Sequence, residues 1–122
     1  MINIFAVFFG GGLGSLMRYG VSKLTLLFYT GNFPLATFIS NILSCIILII
    51  AVFYIKKIVD SEIMRLFLVT GICGGFSTFS TFSFETFSLL KTGHYSIAFA
   101  NIALSLLVGI GLIFIFLRNQ AS

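Results

Sequence analysis

The sequence predicts an all-α membrane protein in which four transmembrane helices form a single domain, residues 1–122. Hydrophobic residues make up 59% of the chain and charged residues only 8%, whereas soluble domains carry about 25% charged residues. The apolar residues also fall into four separate segments, each close to the roughly 20 residues that a spanning helix needs. The few charges are scattered rather than arranged in a basic stripe, so we expect no binding of nucleic acid.

The predicted spans cover about residues 3–28, 35–55, 63–90 and 96–117, and short polar connections separate them. The only proline, Pro34, stands where the second helix would begin, a position that suits proline. The N-terminal segment lacks the basic start of a signal peptide, and three further apolar segments follow it. We therefore interpret it as a retained first transmembrane helix.

The first segment combines closely spaced glycines with a charge. Gly10 and Gly14 are four residues apart, a spacing that lets two membrane helices approach closely. Arg18 follows in the middle of the segment, where a cation costs about 2.5–3.5 kcal/mol on insertion scales. Two interpretations of Arg18 stay open at this point. Its side chain extends to one membrane interface, or it faces a water-filled vestibule and attracts anions.

Polar residues recur at helical spacing in the second and fourth segments. Such stripes predict either hydrogen bonds between helices or a path lined by donors. For the fourth segment we favour packing. The residues are Thr37, Asn41 and Ser44 in the second segment and Asn101, Ser105 and Gly109 in the fourth.

The third segment contains features that weaken a helix. Gly74 and Gly75 are adjacent, and each glycine costs roughly 1 kcal/mol in a helix interior. Hydroxyl side chains follow at once and compete for backbone hydrogen bonds; they are Ser77, Thr78, Ser80 and Thr81. We predict a broken third helix whose freed backbone groups are satisfied within the protein. Broken membrane helices often direct carbonyl oxygens at a cation, so a buried monovalent cation near the break fits this pattern.

Two phenylalanines after the predicted break fall on one side of the helix. Phe79 and Phe82 are three residues apart, and the edge of an aromatic ring is electrically positive. Two ring edges, assisted by hydroxyl donors and by Asn41, could hold a small anion weakly enough for it to leave again. The alternative is that the rings only pack within a helix bundle.

Glu85 is the only acidic residue within a predicted span. A proton-coupled carrier would use such a carboxylate, although the residue also fits a position near a helix end where it bonds to hydroxyls. The sequence contains no nucleophile–base pair, metal cluster or phosphate-binding loop, and Cys45 and Cys73 lack the spacing of metal ligands. We therefore do not expect an enzyme.

The basic residues near the ends of the segments orient the chain only weakly. With both termini on one side, that side receives Lys56, Lys57 and Arg118, with Arg65 left open as a fourth, and the opposite side receives Lys23 and Lys91. The positive-inside rule then favours neither orientation strongly. Because a chain this small encloses little of a pore alone, we infer a dimer, with two oppositely inserted copies as one arrangement.

Three runs of residues carry a more specific signal than composition does. They are Gly74-Gly75-Phe76-Ser77-Thr78-Phe79-Ser80-Thr81-Phe82-Ser83, Gly11-Gly12-Leu13-Gly14-Ser15-Leu16-Met17-Arg18-Tyr19 and Thr37-Phe38-Ile39-Ser40-Asn41. Together they closely resemble the CrcB/Fluc family of fluoride channels, and the likeness extends over essentially the whole chain. The resemblance implies a multi-pass protein of the cell membrane, in contact with lipid, that exports fluoride passively and so gives fluoride resistance.

The resemblance also implies an assembly. Family members are antiparallel, dual-topology homodimers with two fluoride pores, and some organisms instead pair two diverged copies. Both a homodimer and a heterodimer with a paralogue are therefore open. Because the residues that match the family's pore are all present, we expect this chain to form pores by itself.

Site residues follow from the same resemblance, position by position. The fluoride pore would be lined by Phe79, Phe82 and Asn41, with nearby polar contacts from Thr37, Ser80 and Thr81, and Arg18 would lie in the vestibule. The backbone carbonyl groups of Gly74 and Ser77, from both chains, would hold a structural sodium ion at the dimer interface. Ser77 stands where threonine is usual, a change that a carbonyl ligand should survive.

Two other classes of protein compete with the channel. A small proton-coupled drug antiporter also has four spans and dual topology, but it uses a glutamate within its first helix, where this chain has only Arg18. A non-conducting assembly subunit is disfavoured by the intact run of hydroxyl and phenylalanine side chains.

Overall fold

The computed structural model describes residues 1–57 and 61–119. These residues are helical apart from the connections, and no β-strand occurs among them. Stretches long and apolar enough to cross a membrane lie at Ile2–Phe28, Leu35–Lys57, Glu62–Lys91 and Tyr95–Leu117. The prediction of an all-α chain with four spanning segments is therefore confirmed, with the predicted ends within about two residues of the observed ones.

The elements are labelled in chain order. They are α1 (Ile2–Phe28), α2 (Leu35–Lys57), α3 (residues 62–76), α4 (Phe79–Lys91) and α5 (Tyr95–Leu117). Pro34 precedes α2 as predicted, and its carbonyl oxygen accepts a hydrogen bond from the Phe38 amide at 3.1 Å. In the turn after α4, Gly93 adopts a positive φ of 84°, which is the usual role of glycine at the end of a helix.

Helix α3 is irregular along its length. It begins with an α-helical turn over Glu62–Arg65, continues with π-helical hydrogen bonding over Leu66–Cys73 and ends with the short turn Gly74–Phe76. A π-helix of this length is rare, and π-helical turns are frequent near functional sites. The irregular segment leads directly into the glycine pair and the hydroxyl residues of the third span.

Between α3 and α4 the backbone is extended for two residues. Ser77 has φ −80° and ψ 158°, and Thr78 has φ −153° and ψ 118°. Helical geometry resumes at Phe79. We call these two residues the interruption of the third span.

Helices α1 and α3 cross with their backbones in contact. A β-carbon on Gly10 would overlap the carbonyl oxygen of Phe67, and one on Gly14 would overlap that of Ile72. From the other side of the crossing, a β-carbon on Gly75 would overlap the carbonyl oxygen of Gly11. The prediction that Gly10 and Gly14 permit close helix approach is confirmed.

The helices form two groups joined by α2. Helix α1 contacts α2 and α3, whereas α5 contacts α2 and α4. Among the described residues, α1 comes close to neither α4 nor α5, and α2 is the one helix that contacts all the others. The two halves of the third span therefore belong to different neighbours.

A hydrogen-bonded chain joins α4 to α5. The Asn101 side-chain amide, which is 1% exposed, donates to Thr86 Oγ1 at 3.0 Å. Ser105 Oγ donates in turn to Asn101 Oδ1 at 3.3 Å, and Gly109 is buried with Cys45 Sγ beside it. The packing interpretation of the polar stripe in the fourth segment is confirmed for Asn101 and Gly109.

Candidate functional site

A cavity of about 490 Å³ lies beside the interruption. Three side chains predicted for the pore line it, namely Asn41, Phe79 and Phe82. Residues at and just before the interruption line it as well, namely Cys73, Gly74, Ser77 and Thr78. The remaining lining residues are Ser44, Cys45, Leu48, Val69, Ser105 and Leu106. We call this space the Phe79 cavity.

The two phenyl rings lie next to each other at the cavity. The centroids of Phe79 and Phe82 are 6.1 Å apart, and the ring planes are tilted by 36°. Phe79 is 80% exposed on the surface of the single chain, and Phe82 is half-buried. The first turn of α4 places both rings, because residues three apart share one side of a helix.

Asn41 holds the backbone of the interruption. Its Oδ1 accepts a hydrogen bond from the Thr78 amide at 2.8 Å, and its Nδ2 donates to the Thr78 carbonyl oxygen at 3.5 Å. Because the Thr78 amide is a donor and needs an acceptor, the atom of the Asn41 side chain that faces it must be the oxygen Oδ1. A primary amide has two donor hydrogens, so one remains after this contact.

The hydroxyl group of Thr78 caps α4. Thr78 Oγ1 accepts from the Thr81 amide at 3.3 Å and donates to Thr81 Oγ1 at 3.2 Å. Ser80 Oγ lies 3.4 Å from Thr78 Oγ1. Threonine is a preferred residue at this capping position because its oxygen satisfies an unpaired amide of the first turn. Ser80 and Thr81 thus take part in the capping hydrogen bonds at the start of α4.

Ser80, Thr81, Thr37 and Arg18 are not among the residues that line the Phe79 cavity. Thr37 is buried on α2. Arg18 is half-buried, and its Nε donates to the Gly75 carbonyl oxygen at 3.3 Å. Extension of Arg18 to a membrane interface does not explain this contact, which instead brings the guanidinium to the residues just before the interruption.

The Cys73 carbonyl oxygen is a second anchor of the interruption. It accepts from Ser44 Oγ at 3.0 Å, from Ser77 Oγ at 2.8 Å and from the Ser77 amide at 3.0 Å. Cys73 is not predicted as a site residue from the sequence, and Ser44 is predicted only as a member of the polar stripe on the second helix, without an assigned partner. The available signal is that Ser44 lies three residues after Asn41 and so faces the same way on α2.

The two residues that the resemblance assigns to a cation site have carbonyl oxygens without a hydrogen-bond donor in the described part of the chain. In residues 1–57 and 61–119, no donor hydrogen-bonds to the carbonyl oxygens of Gly74 and Ser77. Gly74 is exposed on the surface of the single chain. Carbonyl oxygens of this kind are suitable ligands for a hard monovalent cation, so the residues present fit a sodium ion.

Glu85 sits on α4 and is half-buried. Within the part of the chain that the structure describes, its Oε1 is buried and has no hydrogen-bond partner. The proposed bonding to hydroxyl groups is therefore not seen for this oxygen. The described residues also contain no group of three His, Cys, Asp or Glu side chains that could bind a metal.

The comparisons with known proteins identify the family. The family model described as "CrcB-like protein, Camphor Resistance (CrcB)" matches residues 5–117. The chain belongs to the CrcB family. A relative from Pyrococcus abyssi named "Fluoride-specific ion channel FluC" is 46% identical over 108 residues, which cover 87% of this chain and 85% of the relative.

Further relatives carry the same name. The protein from Phocaeicola vulgatus is 46% identical over 115 residues, covering 90% of this chain and 91% of its own. The protein from Flavobacterium psychrophilum is 40% identical over 111 residues, covering 90% of each chain. Because these CrcB proteins are named as ion channels, neither an enzyme nor the antiporter alternative is favoured. With four spanning helices, this CrcB protein is a multi-pass membrane protein.

Proposed function

We propose that this CrcB protein is a fluoride-selective channel that lets fluoride leave the cell down its gradient. The observation that carries the proposal is the Phe79 cavity, where Asn41, Phe79 and Phe82 meet beside the interruption. The relatives named as fluoride-specific channels supply the identity of the ion. The physiological result is resistance to fluoride.

Anion binding in this cavity would rely on neutral groups. Ring edges of Phe79 and Phe82 carry partial positive charge, and the second donor hydrogen of Asn41 is available beside them. Fluoride is small, so such groups can approach it closely and replace part of its water shell. Among the described residues, no lysine or arginine lines the cavity, which would keep binding weak enough for release.

Two chains would complete the pore as an antiparallel, dual-topology homodimer. In the single chain Phe79 is 80% exposed next to an open cavity, so a second copy could close the path. Basic residues near both ends of the spans provide only a weak orientation signal. In this assembly the interruption at Ser77 and Thr78 would serve as the break of the third span, and backbone groups of both chains would lie near each other.

A sodium ion would be held between the two copies by the carbonyl groups of Gly74 and Ser77. The free carbonyl oxygens at these positions support this assignment. A bound cation would neutralise carbonyl dipoles that otherwise face each other without partners in a medium that offers none.

The test is ion efflux from proteoliposomes that contain this protein alone. With a potassium ionophore to balance charge, we expect fluoride to leave and chloride to remain. Chloride release at a similar rate would refute selectivity. Absence of fluoride release from correctly folded protein would refute the channel itself.

A further inference from the structure

The position of α2 makes it the helix that can set the geometry of the interruption. It contacts both halves of the third span, whereas α1 reaches only the first half and α5 contacts only the second. The shape of the Phe79 cavity depends on how α3 and α4 are placed relative to each other. Among the described helices, α2 is therefore the one that couples the two.

Two side chains of α2 bond to the backbone at two points, one in α3 and one within the interruption. Asn41 bonds to Thr78 on the α4 side, with its Oδ1 2.8 Å from the Thr78 amide. Ser44 bonds to Cys73 on the α3 side, with its Oγ 3.0 Å from the Cys73 carbonyl oxygen. Asn41 and Ser44 are one helical turn apart on the same face of α2.

The bond between Ser44 and Cys73 is reciprocal. Cys73 Sγ lies 3.6 Å from the Ser44 carbonyl oxygen and donates to it. Ser44 and Cys73 are both buried, at 4% and 7% exposure. Hydrogen bonds in such low-dielectric surroundings hold their geometry well because water does not compete for them.

We propose that Ser44 is a positioning residue for the pore, and that it acts with Asn41 as a two-point clamp on the interruption. The role of Ser44 in transport rests on the proposed function, but the clamp itself is a property of the fold. Ser44 fixes the end of α3, Asn41 fixes the start of α4, and the distance between these two points sets how Phe79 and Phe82 face the cavity.

The chain provides a matched control for Ser44. Ser40 lies one turn earlier on the same helix and is completely buried, with 0% exposure. Within the described residues its hydroxyl group has no hydrogen-bond partner. Ser40→Ala and Ser44→Ala therefore delete the same atom from the same kind of environment, and only Ser44→Ala removes a bond to the interruption.

The experiment compares these two variants with the natural protein. Fluoride efflux is measured in proteoliposomes, and backbone protection is measured by amide hydrogen exchange. For Ser44→Ala we expect exchange across residues 74–82 to rise, and fluoride efflux to fall, each by about two- to tenfold, because one hydrogen bond is lost. Exchange in α5 should stay unchanged. Ser40→Ala should match the natural protein in both measurements, and Ser44→Thr, which keeps the hydroxyl group, should restore most of the efflux.

Equal behaviour of Ser44→Ala and Ser40→Ala in both measurements would overturn the proposal. If Ser44→Ala does not fold, Ser44→Cys replaces it, since a thiol is nearly isosteric but a weaker donor. Exchange over residues 74–82 should then rise, and a natural exchange rate would overturn the clamp. If the natural protein passes no fluoride, the proposed function fails, while the exchange comparison still decides whether the clamp exists.

Discussion

Among the residues that the structure describes, those lining the Phe79 cavity carry no formal charge. Its lining consists of phenyl rings, neutral polar groups and aliphatic side chains. Positive ring edges and amide or hydroxyl donors can each contribute a modest attraction to an anion. Arg18, the nearest basic residue in the first span, instead bonds to the Gly75 carbonyl oxygen outside this lining. Selectivity would then come from the size of the space and the number of donors.

Replacement of Phe82 by isoleucine tests the role of the ring. Phe82→Ile keeps an apolar side chain but removes the positive ring edge, so we expect fluoride efflux to fall by about tenfold or more. Size-exclusion chromatography should show the same assembly as the natural protein.

Phe84→Ile is the matched control, because Phe84 is 68% exposed and does not line the cavity. It should retain natural efflux. Unchanged efflux in Phe82→Ile would reduce that ring to a packing role.

At the scale of helices, the crossing of α1 and α3 fixes the first half of the third span. Glycines on both helices bring the backbones together, and a methyl group added at Gly14 would overlap the carbonyl oxygen of Ile72. The overlap is with backbone rather than with a flexible side chain. The crossing therefore has little capacity to adjust.

Gly14→Ala should lower the free energy of unfolding in detergent by about 1–3 kcal/mol, the usual cost of forcing extra volume into a packed interface. The melting temperature should fall accordingly. Gly20→Ala is the control, since among the described residues no atom beyond the adjoining backbone of α1 lies within 4 Å of a β-carbon at Gly20. It should be neutral or slightly stabilising, because alanine favours helix more than glycine does. Equal melting temperatures for the two variants would contradict the close crossing.

The sequence predicts the helices better than it predicts their irregularities. The four spans follow from apolar length, and the crossing follows from the spacing of Gly10 and Gly14. The π-helical hydrogen bonding over Leu66–Cys73 has no such signal, because its residues are ordinary apolar helix formers apart from Thr70 and Gly71.

The site is predictable only in part for a similar reason. The sequence motifs predict Asn41, Phe79 and Phe82 as site residues, and the structure places all three at one cavity. The bonds from Asn41 to Thr78 and from Ser44 to Cys73 join residues that are 37 and 29 positions apart. Such pairings depend on how α2 is placed against the third span, which local patterns do not encode.

The proposed dual topology depends on the weak charge bias of the chain, since a strong bias would select one orientation. Thr30→Lys with Asn32→Lys adds charge at the connection between α1 and α2, where both residues are exposed. Asn3→Lys with Asn119→Lys adds charge at the opposite end. By the positive-inside rule, each pair should force a single orientation.

If the assembly is antiparallel, each doubly charged variant expressed alone should give little fluoride efflux from membrane vesicles. Coexpression of the two should restore it. The neutral pair Thr30→Gln and Asn32→Gln controls for the substitutions themselves. Natural efflux from either charged variant alone would refute the dual-topology arrangement.

Sodium removal tests the proposed cation between the two copies. When sodium is replaced by N-methylglucamine at constant ionic strength, we expect the dimeric fraction to fall. The carbonyl oxygens of Gly74 and Ser77 would then have no ion between them to offset their mutual repulsion. The dimeric fraction can be measured by light scattering in detergent. An unchanged fraction would count against this site.

The separation of α1 from α4 and α5 has an implication for how such chains diversify. Residues 79–117 contact the remainder of the described chain almost entirely through α2. A recombinant that takes this portion from a related protein should thus fold if the donor's side chains suit the surface of α2 against which they pack. Sequence drift in α1 would leave such a cassette unaffected, so the two portions are free to evolve at different rates around a constant central helix.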